Sequence, residues 1–421
     1  MADAPTAPST RPHAIDPAAR ATHRRWLLEV TSLPTASGKE SRAVAWIERW
    51  AAARPAVELT VDAAGNLHAS IRREARDSLP PGSRPVYLTA HLDHPAFVVE
   101  RIVAPGTLQL SFRGGVMDEY FSDARVVVWT GSDERIGATL TGTTHAEGPF
   151  KHYLARLDDA GAGRGGPAGS TSIAVGDVAV WDVGPAEEID GLMHALACDD
   201  LAAAAAALAA MDVLLGLHAA DPASIGDVRL LFTRAEEIGF IGAIAACRER
   251  TMPMDARVIA LENSRSFAES PIGGGPIVRV GDRLSVFSPA LTEAIARRAE
   301  EIAGGPASVT ASQKLADAPA WKWQRKLMAG GACEASVFCA SGYEATCVCL
   351  PLGNYHNMAD LAAVQAGANT TRPRVAREFI SVADYEGLVD LLVACGQRLP
   401  ASAPLRERFE RLWTERSFVL A

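Results

Sequence analysis

The chain has 421 residues, 48% of them hydrophobic, and a formal net charge of −9; that is a soluble globular composition, long enough for one large domain or two unequal ones. The acidic balance, with no Lys/Arg block to offset it locally, argues against nucleic acid as a partner. Seven cysteines, an odd number with no CxxC pair, read as free thiols, mostly in the core of a cytoplasmic protein.

The N-terminus, "MADAPTAPSTRPHAID", lacks the apolar core of a signal peptide, and residues 1–20 read as a disordered lead-in. "ATHRRWLLEVTSLPTASGKESRAVAWIERWAAA" predicts two amphipathic helices, separated where Pro34 and Gly38 break the first. "AVELTVDAAGNLHASI" (56–71) and "RPVYLTAHLD" read as strands, with His91 at the C-terminal end of the second. From 98 to 187 short β-type runs with Gly-rich turns predict an all-β insert, broken at most by a helix near 148–157. Within it "DDAGAGRGGPAGSTS" (158–172) reads as a flexible loop.

"LAAAAAALAAMDVLLGLHAA" (201–220) is long enough to span a bilayer, but Asp199, Asp200 and Asp212 point to a buried Ala-rich helix, so no membrane is expected. The strand "DVRLLFT" (227–233), a helix from "GFIGAIAACRER", the strand "ARVIALE" (256–262) and the helix "PALTEAIARRAEEIAG" (289–304) follow. This alternation predicts an α/β fold, a central mixed sheet flanked by helices, carrying an inserted small all-β barrel-like domain. The expected organisation is an α/β domain over 21–97 and 188–421, with the β domain at 98–187. "GGGPIVRVGDR" (273–283) reads as a turn near the site, since the Lys-Ser/Thr of a phosphate loop is missing. "AWKWQRK" (320–326) reads as a partly exposed surface or subunit contact.

"AHLDHPAF" (90–97) places His91, Asp93 and His94 within four positions. Alone that is a weak sign, because a strand-end histidine beside an aspartate is common. Further acids stand where other elements end or begin: Asp199-Asp200 before the Ala-rich helix, Glu236-Glu237 after "LLFTRA", and Glu262 after "VIAL". His356 follows "TCVCLPLGNY". In open α/β sheets the C-terminal edge of the strands gathers such loops. Two imidazoles, a carboxylate able to bridge, and further carboxylates suit two divalent ions, with one carboxylate left to move a proton. Helix capping by Asp199-Asp200, or a solvated Glu236-Glu237 turn, explains each pair singly but not the set. Cys198 reads as a small buried hydrophobe, and His94 as a strand-end surface histidine.

The ordered series "AHLD", "ACDDLAAA", "TRAEEIGFIGA", "VIALEN" and "LPLGNYHN" resembles the co-catalytic dinuclear zinc aminopeptidases of the tetrahedral (glutamyl/leucyl/deblocking) family, in the zinc exopeptidase clan. The resemblance implies that His91 and Glu262 hold one metal, Glu237 and His356 the other, and that Asp199 bridges them. Asp93 would orient His91, and Glu236 would be the general base. It further implies two divalent ions per chain, zinc with cobalt or manganese as alternatives, a peptide substrate, and a large homo-oligomer such as a dodecamer. Three positions depart from the family pattern: Glu262 where Asp is usual, His94 in place of an acid, and Leu201 in place of an arginine. They leave open a dinuclear deacylase acting on a non-peptide amide, or a non-catalytic relative. The β insert between His91 and Asp199 favours the aminopeptidase.

Overall fold

The computed structural model describes residues 14–73, 79, 83–145, 147–158, 173–307, 321–400 and 404–420. Two helices open the chain, α1 (Pro17–Thr31) and α2 (Ser41–Ala52), then the strands β1 (Val57–Val61), β2 (Leu67–Ile71) and β3 (Val86–His91). Asp16 caps α1 by accepting from the Ala18 N–H, so residues 17–20, assigned to the lead-in from sequence, form a helical turn. Residues 56–71 are not one strand but a hairpin, because Asp62 accepts from the backbone of Ala64 and Asn66 and folds the chain back.

Six strands follow: β4 (Ala96–Ala104), β5 (Thr107–Arg113), β6 (Arg125–Trp129), β7 (Arg135–Thr144), β8 (Lys151–Leu157) and β9 (Val178–Trp181). They close a barrel in the order β4-β5-β8-β7-β6-β9. The helix expected near 148–157 is strand β8, whose residues pair with β5 and β7. An aromatic core fills the barrel: Phe121 stacks on Tyr153 at 4.4 Å, and Phe97 meets Trp181 edge-on at 4.8 Å, each pair worth about 1 kcal/mol beyond its burial. The Gly-rich loop reading of 158–172 falls outside the described residues apart from Asp158.

The remaining elements are β10 (Glu187–Ile189), β11 (Leu192–Ala195), α3 (Leu201–Ala220), β12 (Val228–Thr233), α4 (Ile241–Glu249), β13 (Arg257–Arg265), β14 (Ile277–Gly281), α5 (Pro289–Ala303), β15 (Gln324–Leu327), α6 (Glu334–Ala340), β16 (Glu344–Leu352), α7 (Leu361–Gln365), β17 (Glu378–Ser381), α8 (Val382–Gln397) and α9 (Pro404–Arg416). An eight-stranded mixed sheet runs in the order β1-β2-β12-β3-β13-β16-β14-β15. Its four central strands, β12, β3, β13 and β16, are mutually parallel and end on one edge. Strand β14 is part of "GGGPIVRVGDR", read from sequence as a turn; Gly273 and Gly275, which precede the strand, take positive φ. In "AWKWQRK", Trp323 and Gln324 are buried at the edge strand β15 while Lys322 and Arg325 are exposed, which makes the segment a partly exposed surface as read from sequence.

Helix α3 is the one described helix apolar and long enough to cross a membrane, yet 67% of its apolar window is buried. It packs against α1, α8, β3 and β13 as a core helix. Its alanines let these neighbours approach closely and lose almost no side-chain entropy on ordering. That packing fixes the N-terminal end of α3, and with it Asp199, against the edge where the parallel strands finish. A three-stranded sheet, β10-β11-β17, lies beside it and aligns Ala195 with Glu378.

Candidate metal centre

The parallel strands deliver the candidate ligands to one place. His91 is the last residue of β3, Glu236 and Glu237 follow β12, Glu262 lies on β13, and His356 sits in the turn after β16. Asp199 stands just before α3. All are largely buried, with exposures of 2% for His91 and Asp199, 5% for His356, 6% for Glu262 and 8% for Glu236.

The histidine tautomers follow from their partners. His91 Nδ1 lies 3.1 Å from the Asp93 carbonyl, and His356 Nδ1 2.5 Å from the Gly115 carbonyl. A carbonyl only accepts, so each Nδ1 carries a hydrogen and Nε2 is the nitrogen left to bind a cation. Gly115 follows β5, so the barrel orients His356.

The Nε2 atoms face carboxylates: His91 lies 3.5 Å from Asp199 Oδ1 and 3.8 Å from both Glu262 and Glu236, while His356 lies 3.6 Å from Asp199 Oδ2 and 3.3 Å from Glu237. Two ligands bonded at about 2.0–2.1 Å to one tetrahedral ion sit about 3.3 Å apart. The spacing therefore suits ligands sharing an ion. Three groups of donors lie within 4.8 Å of one another, namely His91/Asp199/Glu262, Asp199/Glu237/His356 and His91/Glu236/Glu237. Asp199 Oδ1 and Glu237 Oε1 are buried without a hydrogen-bond partner, and a cation would satisfy both. The donor set fits two divalent ions, and Asp199 turns one oxygen toward each histidine.

The electrostatics match a cation site. Burial alone would depress His91 and His356, but the surrounding carboxylates push both well up. Burial and neighbouring acids raise Glu236 and Glu262 well above the usual carboxylate range. Asp199 is held below it, because its two histidines outweigh its burial. Divalent cations would reverse the penalty on the acids.

Asp93 has a different geometry from the one its spacing implied. Its carboxylate stands 3.6 Å from His91 Nδ1, beyond the backbone carbonyl of the same residue. It instead accepts from the Glu236 N–H at 2.9 Å, the Glu237 N–H at 3.1 Å and the Ser37 hydroxyl at 2.5 Å. Asp93 thus clamps the main chain of the Glu pair.

Asp200, though at the N-terminus of α3, makes no side-chain cap; its Oδ2 accepts from the His91 N–H at 3.2 Å. Cys198 is wholly buried, as expected, and burial raises its thiol well above the usual range. The seven cysteines are free, five of them buried. His94 is not at the surface but 1% exposed, enclosed by the Asp199 and Asn357 main chain and side chain.

Sequence reasoning passed over Glu378, which accepts from the Asp199 N–H at 3.0 Å and the His356 N–H at 2.8 Å. Its only sequence signal is a lone acid entering the apolar strand "EFIS". Above the cluster opens a cleft of about 390 Å³ walled in part by Arg265, Arg279, Arg283, Phe267, Met328 and Tyr355.

A mixed sheet with a small barrel inserted, gathering imidazoles and carboxylates at the ends of its parallel strands, defines a metal-dependent hydrolase of the zinc exopeptidase type. The model of the M42 glutamyl aminopeptidase family matches residues 78–372, and the chain belongs to that family. It is a metal-dependent aminopeptidase, in agreement with the resemblance its motifs carry.

Solved structures share the fold. An aminopeptidase from Desulfurococcus kamchatkensis is 18% identical, with a TM-score of 0.65 over 90% of this chain and 95% of its own. The TET1 peptidase of Pyrococcus horikoshii, which can assemble into a tetrahedron or a large octahedral shell, is 20% identical, with a TM-score of 0.64 over 89% and 99%. An M18-family aminopeptidase from Thermotoga maritima gives 15% identity and a TM-score of 0.56 over 92% and 98%. Comparison with curated proteins gives no match.

Proposed function

We propose that the chain removes N-terminal residues from peptides using two divalent ions, zinc or a similar N/O-seeking metal. His91 and Glu262 would hold one ion, Glu237 and His356 the other, with Asp199 between them. The observation that carries this reading is Asp199, whose two oxygens face the two histidine Nε2 atoms separately. When bound, such ions polarise a scissile carbonyl and make a water acidic enough to attack it near neutral pH.

The protein's own part is proton movement and orientation. Glu236 is the base: its Oε2 lies 3.8 Å from His91 Nε2, its main chain is clamped by Asp93, and burial gives it a high proton affinity. It takes the proton from the attacking water and returns it to the leaving amine. The acids around the cleft floor also offer a charge partner for a free substrate N-terminus.

The cleft wall supports a preference for acidic residues. Arg265, Arg279 and Arg283 line it, and among the described residues none of the three has a carboxylate within ion-pair distance. An acidic side chain entering there gains charge-assisted hydrogen bonds. Assembly as a homo-oligomer and a cytoplasmic setting are part of the proposal, the former supported by the shells of the TET1 relative.

Glu236→Gln tests the mechanism. The variant is expected to keep its metal content and lose at least 100-fold in turnover of an aminoacyl anilide; unchanged turnover removes Glu236 as the base.

A further inference from the structure

His94 departs from the family pattern, and its surroundings show what it does. Its Nδ1 lies 2.6 Å from the Asp199 carbonyl oxygen and its Nε2 2.9 Å from Asn357 Oδ1. The Asn357 amide cannot be turned over, because its Nδ2 donates to the Leu196 carbonyl at 2.8 Å and the Ala376 carbonyl at 3.1 Å. Both ring nitrogens therefore face acceptors, so the ring is held from both sides.

His94, Asn357 and Glu378 form a closed arrangement around two candidate ligands, Asp199 and His356. His94 holds the carbonyl of Asp199 while Glu378 holds its N–H; His94 holds the side chain of Asn357 while Glu378 holds the N–H of His356. Restraint is needed there, since His356 and Asn357 adopt φ of 54° and 63°, a left-handed conformation that costs a non-glycine residue on the order of 1 kcal/mol or more.

We propose that His94 is a positioning residue that, through Asn357 and with Glu378, fixes Asp199 and His356 at the separation the second metal ion requires. This rests on the two-ion reading above. The family's usual acid could not fill the role, because it would meet two acceptors with no hydrogen to give. His94 and Asn357 thus act as a matched pair.

The test is Co(II) titration of metal-free wild type, His94→Gln, Asn357→Ala and the double variant, reading bound ions per chain and the visible absorption of the cobalt. Losing support of this kind typically weakens metal binding 10–100-fold. The expected result is that the first ion binds alike in all four and the second at least 10-fold more weakly in the variants, with an altered cobalt spectrum. With saturating metal, kcat falls and KM for an aminoacyl anilide holds within about twofold.

Because one hydrogen bond joins the pair, the double variant is expected to be no worse than the weaker single variant. If His94→Gln fails to fold, Asn357→Ala alone carries the test. Wild type taking up two ions, with variants binding the second within threefold and giving the same spectrum, overturns the proposal. Wild type taking up fewer than two overturns the two-ion reading and this inference with it, an outcome told apart because it appears without any mutation.

Discussion

Asp93→Asn separates two roles that the sequence motif does not distinguish. If Asp93 chiefly oriented His91, the change would weaken metal binding 10–100-fold. The geometry gives another outcome. The Asp93 carboxylate is fully buried, with Ser37 and the Glu237 N–H donating to Oδ2 and the Glu236 N–H donating to Oδ1. An asparagine must point its NH₂ at one side, and it loses one acceptor contact at Oδ1 but two at Oδ2. The amide will therefore turn its NH₂ toward Glu236. One hydrogen bond to a charged acceptor is lost, at roughly 1.5–3 kcal/mol, and a buried N–H is left unpaired, so stability should drop by roughly 2–4 kcal/mol. His91 keeps its bond to the residue-93 carbonyl. We expect metal affinity to change less than about tenfold, whereas kcat falls on the order of 100-fold as the Glu236 main chain shifts. Denaturant midpoints of the metal-free protein, metal titration and anilide turnover measure the three quantities. Strongly weakened metal binding with intact turnover at saturating metal would refute the reasoning.

Glu334, buried beside Thr233 with Oε1 unpartnered, is pushed up to about 7 from 4.5, mainly by its burial. The native state then holds more protons than the unfolded state between those values, so stability falls as pH rises through that window and the full cost persists above it. Glu334→Gln is expected to stabilise the metal-free protein at pH 8 by roughly 2–3 kcal/mol and to leave it nearly unchanged at pH 4.5; equal effects at both would count against the assignment. Gly242→Ala would bring a methyl to 2.5 Å from the Arg234 backbone and 2.7 Å from Asn66, prising open the loop that carries the Glu pair, at about 1–3 kcal/mol of stability in denaturant unfolding. Arg265→Ala and Arg283→Ala are expected to raise KM for a glutamyl anilide about tenfold while a leucyl anilide is unaffected; a parallel rise for both substrates would point to general damage.

Much of this arrangement is legible in the sequence because strands announce themselves by period and end in chemically distinct residues. His91, Glu236, Glu237, Glu262 and His356 each terminate or follow an apolar run, and the α/β alternation brings such ends to one edge. The Ala-rich stretch, despite its length, betrays its buried position through its flanking aspartates. Other features have no local signature. Residues 56–71 form a hairpin rather than a strand because one aspartate, Asp62, ties the turn. The β8 segment mixes lysine, alanine and leucine and is made a strand by its partners in the barrel. His94 and Glu378 matter through contacts hundreds of residues apart in sequence, and a histidine followed by proline at a strand end gives no hint of its burial.

The claim on which everything else depends is that one chain carries two ions that its aminopeptidase activity requires. Metal content per chain, measured in wild type and Asp199→Ala alongside aminoacyl-anilide hydrolysis before and after chelation, tests it most directly. The expected result is close to two ions in wild type, depletion in Asp199→Ala, and hydrolysis that chelation abolishes and added metal restores. Wild type with no bound metal, or with hydrolysis indifferent to chelation, would contradict it.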